Sequence, residues 1–238
     1  MNGGTLVVFG SYSYCICTLS YIGTNCETYA IYLLCFPKSS KIETIDKGII
    51  NISDLEYGDY VKSYDLSKNE WIYSKFIFYL HKDDNIKAEY ISIKLSTNKL
   101  LKLSKYHLIA INNSNNIEFI YANDLKLNDI LIIDNNNNNE INYIININII
   151  IEYGAYAPLL QSGTISVNNI LASCYANTKW HNLVHLIFQP IIKISSYLNV
   201  NKYDLYKSND LPDTVFWYAK LIHKSVTTLP FSDSFYDF

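Results

Sequence analysis

The sequence predicts a mostly-β domain followed by a helical tail, and three observations carry that expectation. Short runs rich in Ile, Tyr and Leu recur from about residue 40 to about residue 155, separated by turns of Lys, Asn, Gly and Ser. The 22 tyrosines suit strands that are buried on one face and wet at one edge. From His181 onward the large apolar residues take up a helical spacing. With 238 residues, 49% of them hydrophobic and 17% charged, the chain holds enough apolar material for one core and a small appendage.

The elements follow in order. Residues 28–34 form a short apolar connector, and the main domain starts at Cys35. Strands are expected at 42–45 and 49–52 about the Lys47-Gly48 turn, then at 60–64 and 71–80 about Ser67-Lys68-Asn69. A further pair at 90–95 and 100–103 brackets Thr97-Asn98, and runs at 109–111, 119–121, 130–133 and 141–152 continue the series. Such regular spacing indicates a closed or sandwiched β architecture. The asparagine tracts at 112–116 and 135–139 are too polar to bury and read as loops at strand tips. Helical spacing at 183–198 and 213–228 marks a separate tail.

Composition excludes some roles. The net charge is −3 and no run of Lys or Arg is present, so a nucleic-acid partner is not expected. No stretch of about 20 apolar residues exists to span a bilayer. The opening Met1-Asn2-Gly3-Gly4-Thr5 lacks the basic region and apolar run of a secretory signal.

The five cysteines divide into two classes. Cys15, Cys17 and Cys26 crowd the beginning of the chain, while Cys35 and Cys174 stand apart. The first group has no fourth Cys or His at a zinc spacing, so no metal is expected, and nothing calls for a cofactor. Its order, Cys15-Ile16-Cys17, then Tyr21, Gly23 and Cys26, resembles the C-terminal half of an EGF-like module. That resemblance implies a Cys17–Cys26 disulfide, with the partner of Cys15 lying in a missing upstream half. The alternative is three cysteines that merely lie close together. Disulfides imply an oxidising compartment, and an N-terminally incomplete sequence reconciles that with the absent signal.

Cys35 opens the segment Cys35-Phe36-Pro37, and Ser104-Lys105-Tyr106-His107 and Ala172-Ser173-Cys174-Tyr175-Ala176 follow far along the chain. A cysteine at the head of a β-rich domain, with a distant hydroxyl–x–x–histidine, is the layout of a chain that cuts its own backbone. Each residue also has a plainer reading. His107 would be a strand-end histidine packed under aromatics, and Cys174 a small buried hydrophobe.

Several ordered segments extend this pattern. They are Leu55-Glu56-Tyr57-Gly58-Asp59-Tyr60-Val61, Leu80-His81-Lys82-Asp83, Gly154-Ala155-Tyr156-Ala157-Pro158-Leu159 and Gly163-Thr164. His181 with Leu183-Val184-His185, and Phe216-Trp217-Tyr218-Ala219, complete the set. Together with the cysteine and histidine segments they resemble the C-terminal autoprocessing region of hedgehog proteins, the Hint domain that shares its fold with inteins. The resemblance covers about residues 35 to 230. It implies an all-β Hint fold at 35–180, an EGF-like fragment and linker at 1–34, and a helical sterol-recognition-like tail at 181–238.

It also implies the chemistry. The sulfur of Cys35 attacks the carbonyl of Leu34, an N-to-S acyl shift that gives a thioester, and His107 protonates the departing amine. Ser104 stands where the family usually has threonine, and its hydroxyl is expected on the scissile peptide or the histidine. Cys174 is placed close to Cys35. A second nucleophile then opens the thioester; hedgehog proteins use the hydroxyl of cholesterol, aided by an aspartate. Here His81 occupies that position, with Asp83 as the alternative activator and a solvated turn at 81–84 as the plainer reading. The family normally has glycine before the nucleophile, and Leu34 replaces it, which removes the backbone freedom glycine offers.

Phe216, Trp217 and Tyr218 would contact a sterol or membrane surface, or else pack back onto the β domain. The expected activity is a single self-cleavage in cis, with the chain's own N-terminal segment as substrate and a sterol as acceptor. Hydrolysis by water, or a non-cleaving module of an extracellular protein, are the rival expectations. The location implied is the secretory pathway or the cell exterior. Splicing is not expected, because the closing Ser234-Phe235-Tyr236-Asp237-Phe238 offers no terminal His-Asn.

Overall fold

In the computed structural model the chain is a β structure built on one very long strand. The structure describes residues 35–114, 116–134, 142–176 and the helix at 181–197, together with the backbone of four short strands ahead of them. Those four are β1 (Thr5–Phe9), β2 (Tyr12–Ile16), β3 (Tyr21–Ile22) and β4 (Thr28–Tyr29), paired antiparallel as β1–β2 and β3–β4. The main domain continues with β5 (Lys41–Thr44), β6 (Gly48–Asn51), β7 (Tyr60–Asp65), β8 (Glu70–Leu95) and β9 (Leu100–Leu103). Then come β10 (His107–Asn113), β11 (Asn116–Tyr121), β12 (Ile144–Leu160), β13 (Thr164–Val167), β14 (Ile170–Ala176) and the helix α1 (His181–Tyr197).

Two sheets share the core. One runs β12-β8-β7-β5-β6 with β9 also on β8; the other runs β11-β10-β14-β13. Between them lie fully buried Phe36, Ile42, Phe76, Leu101, Ile109 and Ile165. Burial of that kind contributes on the order of 2 kcal/mol per large side chain.

The strands expected at 71–80 and 90–95 are one continuous element, so β8 carries 26 residues. Residues 81–84 read as polar, and so as a turn, yet they run within the strand because β12 supplies their backbone partners: His81 faces Ala157 and Asp83 faces Ala155. The chain bends here rather than turning back. The Asp83 carboxylate accepts the N–H groups of Asn85 and Ile86 at 2.8 and 3.2 Å, and β12 shifts register between Tyr153 and Ala155. At that shift Gly154 has φ +80°, and a Cβ there would lie 2.8 Å from both the Lys38 Cβ and the Tyr156 ring. Only glycine fits.

The run read as 141–152 begins at Ile144 and extends to Leu160, and strands β13 and β14 add a hairpin that periodicity did not separate. The helix expected at 183–198 is α1, displaced by a residue or two. The helix expected at 213–228, with Phe216, Trp217 and Tyr218, lies outside the described residues.

One local device occurs twice. Ile52–Asp54 and Ala122–Asp124 each form a single 3-10 turn followed by Leu. In the first copy Asp59 accepts the Glu56 N–H at 2.8 Å, and in the second Asp129 accepts the Lys126 N–H at 2.7 Å. Gly58 and Asn128 both take positive φ just before the aspartate. Each aspartate carbonyl then receives the N–H of a strand residue, Phe76 at 2.8 Å and Ile144 at 2.9 Å. The two halves of the domain are thus tied to the long strands by matching turns.

Candidate active site

The segment 35–38 lies as a short added strand along β12. Phe36 and Tyr156 exchange both backbone hydrogen bonds, at 3.0 and 2.9 Å, and the Lys38 N–H reaches the Tyr153 carbonyl at 2.9 Å. The Tyr90 hydroxyl donates to the Gly154 carbonyl and so holds the bulge of β12 against this segment. On the other side, the Ser104 N–H donates to the Cys35 carbonyl at 2.9 Å, and the His107 N–H donates to the Ser104 carbonyl at 3.1 Å. Cys35, Ser104 and His107 are therefore joined in one backbone turn. The bonds of Ser104 described here are those of its main chain, and the scissile peptide at Leu34, on which its hydroxyl was expected, lies outside the described residues.

The ring of His107 is fully buried and meets the ring of Phe36 edge-on, with centroids 4.5 Å apart. Its Nε2 lies 2.9 Å from the Ser173 carbonyl oxygen. A carbonyl only accepts, so Nε2 carries the proton and Nδ1 the lone pair. Nδ1 has no partner among the described residues. A buried ring nitrogen without a partner is costly and uncommon, so Nδ1 is a candidate for a chemical role. Burial lowers the His107 pKa to about 4, with the Ser173 hydrogen bond opposing, so the ring is neutral at pH 7 and its cation a strong acid.

Cys35 and Cys174 are both free and buried thiols. Burial raises the Cys35 pKa far above its ordinary value, and the nearby Cys174 adds to that. Burial likewise pushes Cys174 up to about 12, while the Leu160 N–H beside it pulls the other way. Neither thiol is ionised in the folded chain, so a proton must leave Cys35 as its sulfur attacks. Cys174 belongs to β14, where its N–H donates to the Gly163 carbonyl at 2.9 Å.

His81 sits one strand further out. It pairs with Ala157, next to the Tyr156 that pairs with Phe36. Two strand spacings put its backbone about 10 Å from that of the 35–38 segment. Burial lowers its pKa, with Asp83 opposing, so it is a neutral base at pH 7. The Asp83 carboxylate is occupied by the bend of β8, and Asp84 by the Tyr156 hydroxyl and by Lys38 at 3.0 Å.

Leu34, and the Cys17–Cys26 pairing, lie outside the described residues, as do Phe216, Trp217 and Tyr218. Two contributors were not singled out from sequence. Ser173 fixes the His107 tautomer through its carbonyl, and a backbone role leaves no trace in residue type. Tyr90, one of 22 tyrosines, is legible only by its burial beside Gly154.

A profile of the Hint module matches residues 25–229. Warthog protein 6 of Caenorhabditis elegans is 33% identical over 166 residues, covering 68% of this chain and 28% of that protein. Sonic hedgehog protein of Xenopus laevis is 27% identical over 174 residues, covering 69% of this chain and 39% of its own length. The chain thus spans less than half the length of these curated relatives. Among solved structures, a bacterial intein-like domain from Clostridium thermocellum aligns with a TM-score of 0.48 and 17% identity, over 59% of this chain and 98% of that one.

Proposed function

Because the chain belongs to the Hint family, we propose that it cuts its own backbone between Leu34 and Cys35 through a thioester. The observation that supports this best is the setting of His107: Nε2–H is engaged by the Ser173 carbonyl, Nδ1 keeps its lone pair with no partner among the described residues, and the ring packs on Phe36, next to Cys35. In the proposed step the thiol proton of Cys35 passes to Nδ1 as sulfur adds to the Leu34 carbonyl carbon. The tetrahedral adduct then collapses, the C–N bond breaks, and Nδ1–H protonates the departing nitrogen. One amide and one thiol become one thioester and one amine, with no proton gained or lost. The depressed basicity of the buried ring favours delivery of that proton. Cys174, adjacent in the core, would serve as a nearby thiol without an obligatory step.

The acceptor that opens the thioester is proposed to be a sterol or other lipid alcohol, with water as the rival. His81 is the base that would activate it, since burial keeps its ring neutral, while Asp83 is tied into the bend of β8. The aromatic segment Phe216, Trp217 and Tyr218 is the proposed lipid contact. Likeness to hedgehog proteins and the EGF-like spacing of Cys15, Cys17 and Cys26 support the proposal of a secretory-pathway location with a disulfide between Cys17 and Cys26. Among the described residues no helix is long and apolar enough to cross a membrane.

Dithiothreitol tests the thioester directly, since a small thiol replaces the acceptor. The tagged full chain is expected to release a fragment whose mass ends at Leu34; an intact chain after days overturns the proposal. His81→Ala then separates the two steps. Cleavage by dithiothreitol should stay within about threefold of the parent, while release without added thiol slows by about tenfold or more. Equal rates without thiol would remove His81 from the second step.

A further inference from the structure

We infer that His181 and His185, on the first turns of the tail helix, are positioning residues that clamp the bulge of β14 and thereby hold His107 in its reactive orientation. This rests on the self-cleavage reading above. The pairing of β10 with β14 is broken at the site: His107 faces Ala176 and Ile109 faces Ala172, so the single residue Leu108 stands opposite Ser173, Cys174 and Tyr175. Residues of such a bulge lose their ladder partners and need other bonds to stay in place. Here the bulge carries both the carbonyl that fixes the His107 tautomer and the thiol next to Cys35.

On its other side the bulge keeps its β13 partners, with Ser173 opposite Thr164 and the Cys174 N–H on the Gly163 carbonyl, and on the side lost to β10 the side-chain bonds come from α1. The Ser173 hydroxyl accepts the Tyr175 N–H at 2.9 Å and lies 2.8 Å from Nδ1 of His181 in a second hydrogen bond. The Tyr175 hydroxyl lies 2.9 Å from Nδ1 of His185, whose Nε2 is 2.7 Å from the Gln189 side chain. The two rings lie nearly parallel, 6.2 Å apart, and Phe119 of β11 stacks on His181 at 4.3 Å. Space for His185 is made by Gly163, since a Cβ there would come within 2.4 Å of its Nδ1. Gly163 in turn receives the Cys174 N–H.

Histidines four apart on a helix are also a metal-ligand spacing. Both Nδ1 atoms are already engaged, however, and no cluster of three or more metal-ligating side chains occurs among the described residues. The geometry instead fits a mechanical role. Without the clamp the Ser173 carbonyl is held from the β13 side alone, Nε2–H keeps its acceptor only part of the time, and the lone pair on Nδ1 is less firmly aimed. The first turns of the tail then belong to the cleavage machinery of the β domain.

The full chain carrying His181→Ala and His185→Ala tests this against His181→Asn with His185→Gln, whose amides place a polar atom where Nδ1 stood. The alanine pair should cleave in dithiothreitol about tenfold slower or worse, and the amide pair should recover to within about threefold of the parent. In the uncleavable Cys35→Ala background, nitrogen-15 NMR of the His107 ring should report the Nε2–H tautomer in the parent and amide pair, and mixed tautomers in the alanine pair. A folded alanine pair with the parental rate and tautomer overturns the clamp. Should the parent itself not cleave, the self-cleavage reading fails, and the NMR readout still decides the clamp. Gly163→Ala, which drives a methyl into His185, should reproduce the alanine-pair tautomer mixture.

Discussion

A chain carrying Cys35→Ala is expected to release no fragment in dithiothreitol, hydroxylamine or any lipid alcohol, with its folded content unchanged. In the proposed reaction the substitution removes the sulfur that takes the acyl group. Cys174 is near, but it approaches from β14 across the core, and its own peptide N–H is bound to Gly163. The small loss of volume at a buried site costs about 1 kcal/mol or less, so the variant folds and serves as the intact precursor. His107→Ala is expected to leave some activity, slowed by a factor of about 10² to 10⁴, the usual worth of a placed general acid–base group. Mass spectrometry of tagged chains after timed exposure to thiol measures both. Fragment release from Cys35→Ala at a rate near the parent would mean that the sulfur is not the nucleophile.

Acid should destabilise this protein earlier than carboxylate titration alone would allow. Burial lowers the His107 and His181 pKa values from 6.5 to about 4 each, and those of His81 and His185 are lowered as well. The unfolded chain therefore binds protons below about pH 6.5 that the folded chain refuses until about pH 4. Stability is unaffected by these groups above pH 6.5, falls as pH drops through that window, and levels off below it. At pH 5 His107 and His181 together cost about 4 kcal/mol. Urea unfolding of the Cys35→Ala chain at pH 7, 6 and 5 measures this. His181→Asn should remove about half of what His107 and His181 contribute together, because it deletes one of those two groups. A midpoint that stays constant from pH 7 to pH 5 would show that the imidazoles are charged or exposed in the folded state.

The candidate site was partly legible in the sequence. Cys35 and His107 stand out because their residue types are scarce and chemical, and their partners, Phe36 and Ser104, are their neighbours in sequence. The strands at 41–44, 48–51, 60–65 and 100–103 were legible because their apolar periodicity is clean and their turns carry Gly, Asn or Lys. The doubled turn was visible in principle, as Ser53-Asp54-Leu55 with Gly58-Asp59 and Asn123-Asp124-Leu125 with Asn128-Asp129, but Asn replacing Gly at the positive-φ position hides it.

Sequence by itself determined the chemistry available: one cysteine at the head of a β domain, a histidine after a hydroxyl, and a histidine where an aspartate is usual. It also determined most of the strands, because side-chain alternation is a local property of neighbouring residues. Only the tertiary structure decided that 81–84 continue a strand, since the backbone partners that allow this come from β12, far along the chain. It alone decided which nitrogen of His107 is basic, because a carbonyl at Ser173 makes that choice and a carbonyl is common to every residue. And it alone joined the tail helix to the bulge of β14, through bonds that depend on direction and distance rather than on residue order.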